Sequence, residues 1–319
     1  MLPLPNDDEV LRALMRRRDT GLREDGNRIA LVVSGGGMRG VYAGGMAHAL
    51  DDAGLAGCFD VIYGSSAGAY IGAARLLGDG RGAAHIFFED MACRAFIDPR
   101  RLRSRRPMVS LDHLLDHILA VAKPLPWERL RDSPVPLRVI ATAADDLTAH
   151  VLEPRTVLEW QLAMRATAAI PVLAGRPVTL HGRRWIDGSV AEPLAVPRAL
   201  RDGATHVLAL VNRTLPEMRG TDPGTGPARW ARALDRLAPG LGSMAHESAR
   251  HGPTLEVLDD AGHPSRTGVH LLAVLPTEDV GVRGLTTDPV RVQQAAQVGH
   301  ASLTAALARA MGGSRTDAA

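Results

Sequence analysis

Residues 29–50 read IALVVSGGGMRGVYAGGMAHAL, and residues 59–77 repeat the same plan as FDVIYGSSAGAYIGAARLL. Each stretch begins with a short apolar run, passes through a glycine-framed turn and continues into an Ala-rich segment with helical spacing. Continuous apolar runs bounded by glycine are typical of strands buried on both faces of a parallel sheet. Strand, turn and helix, twice in succession, therefore predict a three-layer α/β/α fold with a central, mostly parallel sheet.

The patterns elsewhere predict one large domain with accessory segments. Its predicted parts are an N-terminal helical extension at 1–27, a core at 28–212 with a cap-like segment at 81–136, an irregular and helical insertion at 213–266, and a strand and helix at 267–319 that complete the same domain. A modest helix is predicted within the insertion, near 230–237. In the core, apolar runs on either side of His181-Gly182 predict a hairpin that delivers Asp187 to a turn.

Composition excludes several classes of function. The 319 residues are 45% hydrophobic, which is enough for a sizeable core, but only 3% aromatic, so no stacking platform for nucleic acid is expected. A net charge of +2 is too small to indicate a polyanion partner. The two cysteines, Cys58 and Cys93, fit neither a disulfide framework nor a zinc-binding spacing, and we expect no metal and no cofactor. The N-terminus lacks the features of a signal peptide, so a cytoplasmic location is predicted.

The second glycine-framed turn, Gly64-Ser65-Ser66-Ala67-Gly68, has the Gly-x-Ser-x-Gly form of a nucleophile elbow. Its flanking glycines, Gly64 and Gly68, remove side chains that would collide with the strand or the helix. Such a turn presents the hydroxyl of Ser66 at the carboxyl edge of the sheet, near a helix N-terminus that favours developing negative charge. Ser66 is therefore the candidate nucleophile.

The first turn, Gly35 to Gly40, allows two interpretations. Gly35-x-Gly37-x-x-Gly40 formally matches a dinucleotide-binding pattern, and Asp60 lies at a suitable distance for a ribose-binding carboxylate. However, Asp60 precedes its apolar strand instead of ending it, and no Gly-Lys-Ser/Thr phosphate loop occurs. A non-catalytic nucleotide-binding module is therefore the less favoured alternative.

In the hydrolase interpretation, the first turn is an oxyanion hole. The backbone N–H groups of Gly36, Gly37 and Met38 would point toward the acyl oxygen, and each such donor is worth ~3–4 kcal/mol of transition-state stabilisation. Arg39 has two open roles, which are pairing with a substrate phosphate or bracing the loop through backbone carbonyls.

The nucleophile needs a base, and the sequence offers two kinds. A soluble esterase or thioesterase would use an acid and a histidine after the serine, but no histidine stands out by its position. Those considered are His206, His251, His263, His270 and His300. Asp187, in contrast, follows the apolar pair Trp185-Ile186 and begins an Asp-Gly turn, where a carboxylate desolvated by apolar neighbours can serve as a base. An ordinary Asp-Gly turn is the other explanation.

Taken together, the three turns resemble those of the patatin-like phospholipases. Gly35 to Gly40 matches the family's Gly-Gly-Gly-x-Arg-Gly loop, Gly64 to Gly68 its serine elbow, and Asp187-Gly188 its aspartate turn. The stretch Ala166 to Pro171 resembles the family's Ala-Ser-x-Ala-x-Pro segment, and Pro193 follows the aspartate as expected. The resemblance extends over about 28–212.

This resemblance implies a lipid acyl hydrolase with a Ser66-Asp187 dyad and without calcium or any cofactor. The oxyanion loop would be Gly35, Gly36, Gly37, Met38, Arg39 and Gly40, and the substrate a lipid or another acyl ester. Two positions depart from the family pattern, since Ser189 replaces a glycine or alanine and Glu192 a common asparagine.

A basic run from Arg100 to Arg106 is a candidate for transient contact with anionic headgroups, because each basic residue near such a surface contributes on the order of 1 kcal/mol. A solvated charged loop is the alternative explanation. The sequence predicts no oligomeric state.

Overall fold

The computed structural model describes residues 7–219, 247–260 and 268–313. Within these ranges the strands form a single eight-stranded sheet. The strands are β1 Ile29–Val33, β2 Val61–Ser65, β3 Leu137–Ala143, β4 Ala149–Leu152, β5 Val178–Leu180, β6 Arg183–Asp187, β7 His206–Leu210 and β8 His270–Val274. The helix predicted near 230–237 lies outside the described residues.

The centre of the sheet is parallel, as the sequence predicts. Strands β3, β2, β1, β7 and β8 are neighbours in this order and all pair in parallel. The antiparallel strands all lie at the β3 end of the sheet. Strands β4 and β6 both pair with β3, and β5 pairs with β6. In the β5–β6 hairpin both turn residues have positive φ, 51° at His181 and 74° at Gly182, which is the geometry of a tight two-residue turn.

Helices cover both faces of the sheet. They are α1 Glu9–Thr20, α2 Val41–Asp52, α3 Ala67–Leu76, α4 Gly80–Ile86, α5 Trp127–Arg131, α6 Val157–Thr167, α7 Val196–Arg201, α8 Leu215–Met218, α9 Glu247–Asp260 and α10 Pro289–Gly313. Successive side chains of β1 point to opposite faces of the sheet and therefore pack in two different apolar clusters. Ile29, Leu31 and Val33 pack with α2, α3 and α10, whereas Ala30 and Val32 pack with α7 and α9. The predicted three-layer arrangement is therefore confirmed.

The cap-like segment departs from regular α-helical winding in three places. It contains π-helical stretches at Phe87–Met91 and His113–Ala122 and a 3₁₀ helix at Pro99–Ser104. The apolar side chains of the second π-helix, among them Leu114 and Ile118, are buried against the core. Together with the preceding helical residues Leu111 and Asp112, this stretch forms one helix over 111–122.

Helices α2 and α10 cross in close contact because glycine lies at the crossing on both of them. A Cβ atom at Gly45 would collide with the backbone of Ala296, and one at Gly299 with the backbone of Tyr42. The absence of side chains there lets the two backbones approach. The long C-terminal helix is thereby fixed against the helix that follows the first glycine turn.

Candidate active site

Pairing with β3 explains why Ser66 and Asp187 meet. Ser65, at the end of β2, pairs with Ile140, and Asp187, at the end of β6, pairs with the next residue, Ala141. Strand β4 pairs with both Ile140 and Ala141, so it occupies the opposite edge of β3. Strands β2 and β6 therefore run toward each other along the same edge, and their ends meet where the serine turn begins.

Ser66 adopts the strained backbone conformation of a nucleophile elbow, with φ 52° and ψ −129°. Side chains at Gly64 or Gly68 would overlap neighbouring backbone, so the turn requires both glycines. The turn is held by Thr167, whose hydroxyl accepts the Ser66 N–H at 2.8 Å and donates to the carbonyl of Ile140. A strain of about 1–3 kcal/mol at such a residue persists only where the surroundings enforce it.

The hydroxyl of Ser66 donates to Asp187 Oδ2 at 2.7 Å. Both groups are shielded from solvent, with Asp187 0% and Ser66 5% exposed. The other carboxylate oxygen, Oδ1, accepts the backbone N–H of Ser189 at 2.7 Å and its hydroxyl at 2.5 Å. Ser189, the departure from the family pattern, thus supplies a side-chain donor that fixes the orientation of the carboxylate.

Hydrogen bonds to Pro193 and Asn212 hold the start of the glycine loop in place. The N–H of Gly35 donates to the carbonyl of Pro193 at 3.1 Å, and its own carbonyl accepts from the side-chain amide of Asn212 at 2.6 Å. Gly36 and Gly37 have φ values of 156° and 58°, a conformation that residues with a side chain rarely adopt. The structure therefore requires glycine at both positions.

The backbone N–H groups of this loop differ in what they bond. That of Met38 donates to the carbonyl of Gly284 at 3.0 Å, and that of Arg39 to the carbonyl of Gly36 at 3.2 Å. Those of Gly36 and Gly37 donate to no acceptor among the described residues.

Arg39 fits neither of its predicted roles. It is buried and pairs with the carboxylate of Glu217, with 2.5 Å between Nη2 and Oε1. Burial by itself raises the pKa of Glu217, but the hydrogen bond and charge of Arg39 outweigh it and lower the pKa below its usual value. Arg39 therefore ties the glycine loop to α8 instead of facing a substrate or bonding loop carbonyls.

A cavity of about 610 Å³ opens at the candidate dyad, with Ser66 and Gly37 in its wall. Its size lies within the range of ligand-binding pockets, and most of its surface is apolar. The cap-like segment contributes much of the apolar wall, including Phe87, Met91, Phe96, Leu111, Leu114 and Leu119. Charged residues, among them Arg81 and Lys123, also line the cavity.

Three of the five histidines considered as an alternative base contact other side chains. His206 stacks on His270 with 4.7 Å between ring centroids, and His300 lies 2.7 Å from Asp52. His251 is buried in α9, and His263 lies outside the described residues. In the described ranges no histidine hydrogen-bonds to Ser66, whose hydroxyl donates to Asp187.

Comparison with known proteins agrees with this architecture. The family model described as Patatin-like phospholipase matches residues 31–200, which is more than half of the 319 residues. The chain belongs to the patatin-like phospholipase family.

Two individual proteins are also similar to this chain. The uncharacterized protein YjjU of Escherichia coli strain K12 is 29% identical over 214 residues, which amount to 66% of this chain and 57% of YjjU. The chain thus spans a little over half the length of that relative. The crystal structure of VipD from Legionella pneumophila superimposes with a TM-score of 0.46 at 13% identity, covering 89% of this chain and 67% of VipD. Among the described helices, none combines the length and apolarity needed to cross a membrane.

Sequence reasoning missed three supports of this patatin-like site. Thr167 lies in the Ala166–Pro171 stretch that the sequence singled out, but its bond to the serine turn depends on how α6 packs on β3. Asn212 is a buried amide shortly after the apolar strand β7, and that polar residue was the available signal. Gly284, in an irregular segment before α10, gave no signal.

Proposed function

We propose that the chain is a serine hydrolase that cleaves acyl esters of lipids with a Ser66-Asp187 dyad. The observation that carries this proposal is the 2.7 Å hydrogen bond between two shielded groups, of which Ser66 lies in the wall of an apolar cavity. A carboxylate that already accepts a hydrogen bond from the serine hydroxyl in the resting state is placed to act as its general base.

In the acylation step, Oγ of Ser66 forms a bond to the ester carbonyl carbon while its proton moves to Asp187 Oδ2. The carbonyl oxygen becomes an oxyanion and accepts hydrogen bonds from the backbone N–H groups of Gly36 and Gly37. The tetrahedral intermediate then expels the alcohol oxygen, which takes the proton from Asp187. In deacylation, water gives a proton to Asp187 and attacks the acyl carbonyl carbon. The bond to Ser66 Oγ then breaks, Oγ takes the proton back from Asp187, and the fatty acid leaves.

The cavity favours a long acyl chain over a small polar one. Its wall is formed largely by apolar side chains of the cap-like segment and of α3, so burial of methylene groups would contribute about 0.8 kcal/mol each. The substrate class that fits is an ester or phospholipid with a fatty acyl group. The alcohol part would face the charged residues at the cavity, such as Arg81 and Lys123.

Transient contact with an anionic lipid surface is a second part of the proposal. The 3₁₀ helix Pro99–Ser104 has no buried residue, and Leu102 on it is 43% exposed. A pocket of about 250 Å³ beside it includes Arg101, Arg106, Arg165 and Arg176. An exposed leucine among guanidinium groups suits a surface of anionic headgroups. Equal sedimentation with anionic and neutral vesicles would contradict this part.

The dyad is tested by replacing each member and measuring ester hydrolysis and labelling by a long-chain fluorophosphonate. Ser66→Ala should abolish labelling. Asp187→Asn, which keeps the shape of the side chain but cannot take up the proton, should slow hydrolysis by about 10²–10⁴-fold, the usual contribution of a general base.

The control is His85→Ala, because His85 is the described histidine that lines the cavity. It should retain hydrolysis within about threefold of the parent, a small effect on the scale of a lost general base. A variant Asp187→Asn that keeps its rate while a histidine variant loses it would replace the dyad with a histidine triad. Binding of a nucleotide without any ester hydrolysis would instead favour the non-catalytic module.

A further inference from the structure

Two histidines and an aspartate meet on the surface where α2 crosses α10. Nε2 of His48 lies 3.6 Å from one carboxylate oxygen of Asp52, and Nε2 of His300 lies 2.7 Å from the other. The three donor atoms lie within 4.8 Å of one another. The rings of His48 and His300 are 5.0 Å apart between centroids. Residues 248 positions apart in the chain thus direct their ligating atoms to one point.

The backbone holds this group in place. His48 and Asp52 are four positions apart in the helix and therefore lie on one face of α2. His300 directly follows Gly299, which together with Gly45 lets the two helices approach closely. Because the crossing is buried and tightly packed, the three side chains project from a rigid scaffold.

We propose that His48, Asp52 and His300 form a binding site for a Zn²⁺ ion. Two imidazole nitrogens and one carboxylate oxygen are a donor set that suits zinc, whereas calcium and magnesium prefer oxygen ligands throughout. With three protein ligands, the fourth tetrahedral position would be taken by water.

Binding needs only local adjustment. Zinc–ligand bonds of about 2.0–2.2 Å bring the donors of a tetrahedral site closer than 4.8 Å, and rotation of these partly exposed side chains provides the change. The hydrogen bond between His300 Nε2 and Asp52 Oδ2 breaks and both atoms turn to the metal. A neutral ring then carries its proton on Nδ1, and a protonated ring releases one proton to solvent.

The site is separate from the candidate dyad, since it includes neither Ser66 nor Asp187. Its metal would join the C-terminal helix α10 to α2, the helix that continues directly from the glycine loop. An ion that binds the folded chain and not the unfolded one raises the unfolding temperature. Zinc would therefore stabilise the contact between α2 and α10. This proposal does not depend on the hydrolase proposal.

A neighbouring histidine completes the surroundings without entering the site. The ring centroid of His85 lies 6.4 Å from that of His48, and its Nδ1 lies 2.8 Å from Glu89 Oε1. Farther away, His113 and His117 stack with 5.1 Å between centroids and could hold a metal weakly as a two-imidazole pair. The experiment should therefore use a His117→Ala background.

The test is titration of the full-length, EDTA-treated His117→Ala protein, which is the parent for the variants below, with Zn²⁺ alone, followed by calorimetry and by thermal unfolding. We expect one equivalent of zinc and a higher unfolding temperature. His48→Ala, Asp52→Asn and His300→Ala should each weaken binding by at least about 10-fold, since losing even a hydrogen-bond partner of a ligand has an effect of that size.

The matched control is His181→Ala, which removes an exposed histidine that also faces a carboxylate, 3.4 Å from Glu159. It should bind zinc as the parent does. Co²⁺ added to the parent gives a check that needs no variant, because a tetrahedral site produces strong visible absorption bands. Zinc binding that survives in both His48→Ala and His300→Ala, no stoichiometric binding by the parent, or an octahedral cobalt spectrum would overturn the proposal.

Discussion

The hydroxyl of Thr167 should prove essential to the serine turn. Thr167→Val removes one buried oxygen and leaves two buried backbone groups, the N–H of Ser66 and the carbonyl of Ile140, without this partner. Each such group costs ~1–3 kcal/mol, so the loss is ~2–6 kcal/mol before relaxation. If Ser66 relaxes out of its strained conformation, it recovers ~1–3 kcal/mol, and a net loss of about 1–3 kcal/mol is expected.

That relaxation should also slow the reaction. A shift of about 1 Å in a reacting atom can cost ~10²-fold in rate, so kcat should fall by about that factor while the protein remains folded. Urea unfolding gives the stability change, and hydrolysis of a p-nitrophenyl ester gives kcat. Thr167→Ser, which keeps the oxygen and loses one methyl group, should cost only about 1 kcal/mol and retain most of the rate. A valine variant within 1 kcal/mol of the parent and equally active would refute the reasoning.

Three further substitutions test the buried ion pair, the helix crossing and the cavity wall. Arg39 lowers the pKa of Glu217 below its usual value of 4.5 in the folded protein. The ionised pair therefore stabilises the fold above pH 4.5, and this contribution is lost as the pH falls through the lowered pKa. Glu217→Gln should remove that part of the acid dependence, which urea midpoints at neutral and acid pH would show, and an unchanged dependence would contradict the assignment. Gly45→Ala should destabilise by about 1–3 kcal/mol in thermal unfolding because its Cβ meets the backbone of α10, whereas Gly312→Ala, with open space around it, should be neutral or stabilise by up to about 1 kcal/mol. Ala74→Leu fills part of the cavity wall, so kcat/KM should fall more for a p-nitrophenyl palmitate than for a butyrate, and an equal loss on both would argue against an acyl-chain cavity there.

Local patterns predicted the strands and most helix positions well. Strand β1 is observed at Ile29–Val33 as predicted. A strand that is buried on both faces is apolar throughout, so it is recognisable without knowing which strands it pairs with. The second strand was predicted from Phe59 but begins at Val61. Asp60 lies outside the strand because its carboxylate bonds to Arg17 of α1, a contact across 43 residues that no local pattern reveals.

The candidate site was predictable only in its parts. The glycine turns and Asp187 are visible in sequence because each imposes a local backbone requirement. The role of Arg39 was not predictable, since its partner Glu217 lies 178 residues away. The supporting contacts of Thr167 and Asn212 likewise depend on packing.

The sequence by itself determined the fold class, the two turns that need glycine, and the residue types present at the candidate dyad, because these follow from steric and periodic rules that act over a few residues. The tertiary structure decided which distant groups meet. Ser66 reaches Asp187 because β2 and β6 end head to head on one edge of β3, and His48 reaches His300 because two glycines let α2 and α10 cross closely. Such distances depend on strand pairing and backbone approach across the whole chain, and local sequence does not contain them.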